Sequence, residues 1–363
     1  MQTLPESIRK FRLGIYSGQA DQPLSLMREI GPFAAMAKED PRLELVFPPP
    51  DAGGNQRLSW DWLVRCDAAF YSHPGSDYHV NSIALATMLG IPAWVEIVDN
   101  ALAVRATNPS FHQIHKKALQ ENIQAALDMA SVVTVISDAA RDTFLKQFKE
   151  IKPEKIVVLR EACLWPARTD PRQKVVTWRG LHSHFEDVLT VLPQWCEVAR
   201  TLRDEGWTWV LFGTPPDDLT DALSQAAGDK NVKVSPFWPT PFHQFQAWGN
   251  QSPFLHLAPL ADNEFNRGKS HLAWLEATAA GAATIVPAHL PEWQQPGVLP
   301  YTTGIITPDG PQAFEEVLHR EMKKFDGGKF HAGVKEAREA VYPGRTLTAR
   351  NQERWAILRR LLA

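Results

Sequence analysis

The run FLHLAPLADNEFNRGKSHLAWLEATAAGAATIVP, Phe254 to Pro287, decides how the chain is read. It opens with an apolar, strand-like stretch, Phe254 to Leu260. A polar, glycine-containing loop follows from Asp262 to Gly268, then a helical pattern from Lys269 to Ala279 and a second apolar strand, Ala283 to Val286. A loop that enters a helix just past a strand end gathers free backbone N–H groups and the positive end of the helix dipole. Anions, phosphates above all, bind at such a place. Lys269, Ser270 and His271 stand where that helix is expected to begin. Glu276 lies seven residues past Lys269, so the two are predicted to share one helical face. A cation for a diphosphate and a carboxylate for a ribose are what a nucleotide-sugar site needs. The same pattern also serves doubly wound proteins with plain anion sites.

Outward from this segment the chain alternates strand-like and helix-like runs. Toward the N-terminus the strands are expected at Phe11 to Tyr16, Leu43 to Phe47, Ala68 to Tyr71, Ala93 to Val98, Val132 to Ile136 and Ile156 to Leu159. Helical spacing fills Leu24 to Met36, Asn81 to Leu89, Ser110 to Met129 and a stretch from Asp138. Pro166, Thr169, Asp170 and Pro171 then form a turn-rich break. The alternation restarts with Lys174 to Trp178, a helix over Asp187 to Asp204, Thr208 to Phe212, Val232 to Val234 and a helix over Thr240 to Trp248. A strand at Gly304 to Ile306, a helix at Gln312 to Lys324 and a last helix at Ala349 to Leu362 complete the pattern. Strands alternating with helices predict an α/β protein with parallel sheets covered on both faces.

The 363 residues exceed one core, so two domains are expected. Composition is that of a soluble globular protein, 44% hydrophobic and 22% charged. No apolar run reaches the roughly 18 residues of a membrane span, and the N-terminus lacks the apolar core of a signal peptide. Cys66, Cys163 and Cys196 are far apart and odd in number, which points to a reducing compartment and a cytoplasmic location. A net charge of −3 argues against generic nucleic-acid binding. From Arg320 onward, however, eleven Lys and Arg stand against five Asp and Glu, an excess of six that suits either a phosphate-facing surface or a solvated helix.

The Phe254–Pro287 segment resembles the donor-binding motif of the GT-B glycosyltransferases, near the large retaining family 4. That family carries Glu-x7-Glu here, and its second Glu holds ribose hydroxyls. Glu276 matches the second Glu; Gly268 stands where the first belongs. The FNRGKS version, and the string AWVEIVDNALAVRATNP, Ala93 to Pro109, resemble a divergent branch among phage-encoded glycosyltransferases, with one acid of that branch's strand-end pair replaced in Val98-Asp99-Asn100. The resemblance implies two Rossmann-like domains with parallel sheets facing across a cleft. Residues 1–167 form an acceptor domain and 168–340 a donor domain, with 341–363 a helix packing back on the first.

It also implies roles for particular residues. Arg179 follows the strand Val175 to Trp178, at the carboxyl edge where doubly wound sheets bind ligands, and a guanidinium there grips a diphosphate. Lys269 adds a second cation, with Asp99 the third catalytic candidate. Donor contacts are expected from Gly18, His184, Gly213, Phe237, Ser270, His271 and Glu276, with His73 and Asn100 on the acceptor side. His182 and His184 are a weak metal pair, so no metal is expected. The donor is expected to be a UDP-sugar. The acceptor is a hydroxymethylated base of phage DNA, or else a glycan or protein. A sugar-nucleotide epimerase and a non-catalytic binding protein remain open as other classes.

Overall fold

The computed structural model describes residues 10–16, 25–49, 60–108, 111, 116–236, 241–304, 309–342 and 344–362. Two compact units emerge. One comprises Met1–Leu102, Ile114–Glu161 and Leu347–Ala363; the other comprises Ala103–Gln113 and Ala162–Thr346.

In the first unit, β1 (Phe11–Tyr16), β2 (Leu43–Val46), β3 (Ala68–Ser72), β4 (Ala93–Ile97), β5 (Val132–Val135) and β6 (Ile156–Val158) form a parallel sheet ordered β2-β1-β3-β4-β5-β6. Alternate residues of one strand feed opposite faces, as a period of two requires. Ala69 and Tyr71 join Ile83, Ala86 and Leu127 on one side, while Ala68 and Phe70 join Phe33, Met36 and Leu358 on the other. The second group is completed by the helix Leu347–Leu362, which lies against the helix Gly31–Glu39; Asn351 Nδ2 donates to the Pro32 carbonyl at 3.1 Å.

A buried charge cluster sits in this unit. Arg28 donates to Glu96 through Nε (3.2 Å) and Nη2 (3.0 Å), and its Nη1 lies 3.2 Å from Glu161. All three side chains are buried. Burial works against the Arg28 charge, and the two carboxylates more than offset it, holding its pKa above the ordinary guanidinium value. Arg354, also buried, is pushed down to about 10 by desolvation.

In the second unit, β7 (Val175–Gly180), β8 (Thr208–Gly213), β9 (Val232–Ser235), β10 (Leu255–Leu257), β11 (Ala283–Pro287) and β12 (Leu299–Tyr301) form a parallel sheet ordered β12-β11-β10-β7-β8-β9. Trp209 and Leu211 of β8 enter the core on one face, Val210 and Phe212 on the other. Both faces are covered, which is why β8 reads as a continuous apolar run. Chain order reverses between β7 and β10, so the carboxyl ends of these two neighbours form the switch point of the sheet.

Several expected elements shift. The helix expected from Lys269 begins at Leu272 and runs to Ala280. A separate short helix, Glu264–Arg267, precedes it; Asn263 caps that helix by accepting from Asn266 N–H at 2.8 Å. Lys269 and Glu276 therefore do not share a helix face. The helix expected over Asp187 to Asp204 is two helices, Phe185–Leu189 and Leu192–Thr201, with Pro193 seated in the first turn of the second, where its missing N–H costs nothing. Leu299–Tyr301 forms a strand that the sequence did not suggest, while Ile305 and Ile306 of the stretch expected at Gly304 to Ile306 lie outside the described residues. Pro300 disguised it in the sequence, but β12 is an edge strand, where proline is tolerated. The helices Asp217–Ala227 and Ala332–Val341 were not foreseen.

Candidate functional site

The switch point of the second unit collects most of the residues singled out in that half of the chain. Arg179 sits near the end of β7 and Glu276 on the helix Leu272–Ala280 that follows β10. Arg179 Nη1 lies 2.6 Å from Glu276 Oε2, with side-chain exposures of 20% and 6%. The guanidinium also stands 5.9 Å from the Trp248 ring centre. Trp248 Nε1 donates to Thr177 Oγ1 at 3.1 Å, and Thr177 Oγ1 is 3.0 Å from His256 Nδ1. Burial, helped by the Arg179 charge, pushes His256 down to about 3. A neutral, buried imidazole thus backs the strand that carries Arg179.

A second group lies on the neighbouring loops. His184 Nδ1 donates to Asp187 Oδ2 at 2.7 Å. The other oxygen of Asp187 accepts from Ala261 N–H at 2.9 Å and Asn266 Nδ2 at 2.6 Å, so one buried carboxylate ties the chain after β7 to the loop after β10. Burial raises a carboxylate pKa, but the His184 hydrogen bond, the Lys269 charge and the Ala261 amide outweigh it and hold Asp187 below its ordinary value. In the sequence Asp187 marks only the start of an expected helix; its three-way bonding was invisible there because Asn266 is 79 residues away.

Lys269 Nζ lies 4.6 Å over the Phe265 ring. Ser270 Oγ accepts from Leu272 N–H at 3.3 Å, inside the turn that starts the helix. His271 is buried at the start of the helix. Its side chain is 1% exposed, packs on Trp274 with ring centres 5.5 Å apart, and lies 3.4 Å from Arg345 Nη1, so it is built into the core beneath the turn. Gly213 ends β8 with φ of 105°, a left-handed backbone that favours glycine, and it pairs in register with Gly180. A Cβ on Gly180 would stand 2.4 Å from the Trp178 indole, two residues back on the same strand, so glycine leaves room for that ring. Phe237 and Gly18 lie outside the described residues.

The remaining candidates belong to the first unit. His73 follows β3, at the reversal of strand order between β1 and β3, with φ of 48° and its N–H donated to the Glu96 carbonyl at 2.9 Å. A non-glycine residue with such a φ is uncommon. Nearby, His79 is bonded to Ser76 Oγ at 2.7 Å and is pushed down to about 4 by burial and by His73. Asp99 follows β4 and is half-buried, with its carbonyl closing a turn to Ala101 N–H. Asn100 is buried, its Nδ2 3.4 Å from Gln147 Oε1.

Among the described residues no group of three or more His, Cys, Asp and Glu is arranged to hold a metal ion, and no helix is long and apolar enough to cross a membrane. The three cysteines are buried and unbridged.

No protein-family profile matches the chain, and no curated protein matches it in sequence. Solved structures do match in shape. A Listeria monocytogenes protein described as a candidate UDP-N-acetylglucosamine 2-epimerase superposes with a TM-score of 0.57 at 13% identity, covering 96% of both chains. WaaG, a glycosyltransferase involved in lipopolysaccharide biosynthesis, gives 0.55 at 11% identity over 96% of this chain and 99% of its own. The chain has the GT-B fold. A mutant of S. aureus TarM, solved with fondaparinux, α-GlcNAc-glycerol and UDP, gives 0.53 at 13% identity; 80% of this chain spans 56% of that one.

Proposed function

We propose that this chain is a nucleotide-sugar-dependent glycosyltransferase whose second unit holds the donor at the switch point of its sheet. The observation that carries the reading is the meeting of Arg179 and Glu276, from β7 and from the helix after β10, at the place where doubly wound sheets bind ligands. TarM, of the same fold, was solved with UDP, and the Listeria protein's description names a UDP-sugar, which favours UDP as the nucleotide here.

In transfer, the bond from the anomeric carbon to the donor phosphate oxygen breaks and a bond from that carbon to the acceptor hydroxyl oxygen forms. The acceptor proton passes to the departing phosphate. Negative charge grows on the leaving diphosphate as an oxocarbenium-like centre develops. Arg179 and Lys269, with the N-terminal end of the helix Leu272–Ala280, answer that charge electrostatically. Glu276 accepts from ribose hydroxyls and, through its ion pair, keeps Arg179 from swinging away before the donor arrives. Two protein cations suffice for the leaving group without a metal. With the proton taken by the phosphate, a retaining course needs no strong protein base; for an inverting course His73 or Asp99 would be the base.

The acceptor carries a hydroxyl. The modified-DNA version draws little from the fold. Much of the basic C-terminal charge is already committed: Arg354 is buried, Arg360 donates to the Glu154 carbonyl and Arg345 lies beside His271. A glycan or glycosylated small molecule is the better substrate class to screen first. One observation favours a second reading, a sugar-nucleotide epimerase: the His184–Asp187 pair is an imidazole oriented by a carboxylate, suited to acid–base work. Mass spectrometry of UDP-sugars incubated with and without glycan acceptors separates the two. Acceptor-dependent UDP release supports transfer; acceptor-independent formation of a stereoisomer supports epimerisation; UDP binding without either points to a binding protein.

A further inference from the structure

The chain leaves the first unit after Leu102 and returns to it at Ile114; the excursion Ala103–Gln113 groups with the second unit. Among its described residues, Asn108 is 6% exposed and donates from Nδ2 to the Ser183 carbonyl at 2.9 Å. Thr107 Oγ1 hydrogen-bonds the Glu186 carboxylate. Asn108 is itself held in a turn, its N–H on the Arg105 carbonyl at 3.0 Å and its carbonyl accepting from Phe111 N–H at 2.9 Å. Thr107 and Asn108 thus grip both sides of His184, the residue that follows Ser183.

We propose that Asn108 is a positioning residue of the donor site, acting through His184. The turn His182–His184 is a single 3₁₀ turn. One such turn is held by few bonds of its own, and an external donor on the Ser183 carbonyl sets its angle. That angle decides whether His184 Nδ1 meets Asp187 Oδ2. Asp187 in turn holds Ala261 N–H and Asn266, and so the loop that carries Lys269. Asn108 therefore governs the donor loops without touching the donor. This inference rests on the donor-site reading given above.

The test uses the whole protein with Asn108→Ala and Asn108→Asp; the second keeps the size but has no N–H to donate. Two measurements are made: the imidazole resonances of His184 by NMR, and the UDP dissociation constant by calorimetry. Loss of Asn108 is expected to move the His184 resonances, to leave those of the remote His331 in place, and to weaken UDP binding about tenfold, the share of one buried hydrogen bond. Donor KM rises while acceptor KM stays. His184→Ala in the Asn108→Ala background adds less than it does alone, because both act through one route. Unmoved His184 resonances in either folded variant overturn the proposal, as does an unchanged UDP affinity. Should the wild-type protein bind no UDP, the donor reading falls, and the His184 resonances alone decide whether Asn108 sets the turn.

Discussion

Replacing Glu276 by Gln separates two roles that the Arg179–Glu276 pair combines. The carboxylate is nearly buried and contacts Arg179 at 2.6 Å, while Arg179 keeps 20% of its side chain exposed. A hydrogen bond to a charged partner contributes about 1.5–3 kcal/mol. Water reaching Arg179 replaces part of it, so folding stability is expected to fall by about 1.5 kcal/mol. Ligand binding divides the roles. If Glu276 holds ribose, Glu276→Gln weakens uridine by about 10- to 100-fold, a loss of about 1.5–3 kcal/mol. UDP weakens less, because Arg179, freed from its internal partner, is more available to the diphosphate. Calorimetric titration of both ligands into wild type and variant gives the two ratios. Unchanged uridine affinity with tighter UDP binding would refute the ribose role and leave Glu276 as a counter-ion of Arg179 alone.

Arg179→Ala is expected to lower turnover at least about 100-fold, as loss of a leaving-group cation does, with initial rates over a range of donor concentrations as the measure. EDTA at millimolar concentration is expected to leave the transfer rate unchanged; restoration by added Mg²⁺ after a complete loss would contradict the two-cation mechanism. Arg28→Met leaves Glu96 and Glu161 facing each other in the first core and is expected to cost about 3–5 kcal/mol in urea unfolding. Glu321 is buried among His331, Arg320 and Lys324, and despite burial its partners bring it from 4.5 to about 2. A lowered folded value means stabilisation that is complete above pH 4.5 and is lost as pH falls toward 2, about 3 kcal/mol in all. Glu321→Gln should flatten the acid limb of the stability curve, and an unaltered limb would place that stabilisation elsewhere.

The alternation of strands and helices was legible because each central strand is a short apolar run closed by glycine, proline or a polar turn, as in β8 before Gly213. Where a local rule was broken the reading slipped. Pro300 hid an edge strand, and Asn263 caps a short helix inside the stretch read as a loop. The helix Asp217–Ala227 buries only Leu219, Leu223, Ala226 and Ala227, a narrow stripe among polar residues. For the site, residue types at strand ends could be read, but partnerships could not. That Arg179 meets Glu276, or that Asp187 bonds Asn266, depends on β10 lying beside β7, a neighbourhood that no local pattern encodes. The burial of His271 was equally illegible, because its packing against Trp274 and its neighbour Arg345 are set by tertiary structure.

The interleaved course of the polypeptide has a practical consequence for anyone wishing to study the halves in isolation. A fragment ending at Glu161 lacks the helix Leu347–Leu362 and so bares Phe33 and Met36 to solvent. A fragment starting at Ala162 loses Thr107 and Asn108 from beside His184. Neither severed piece retains its native lining, so cutting between Glu161 and Ala162 invites aggregation in one product and a slackened loop in the other.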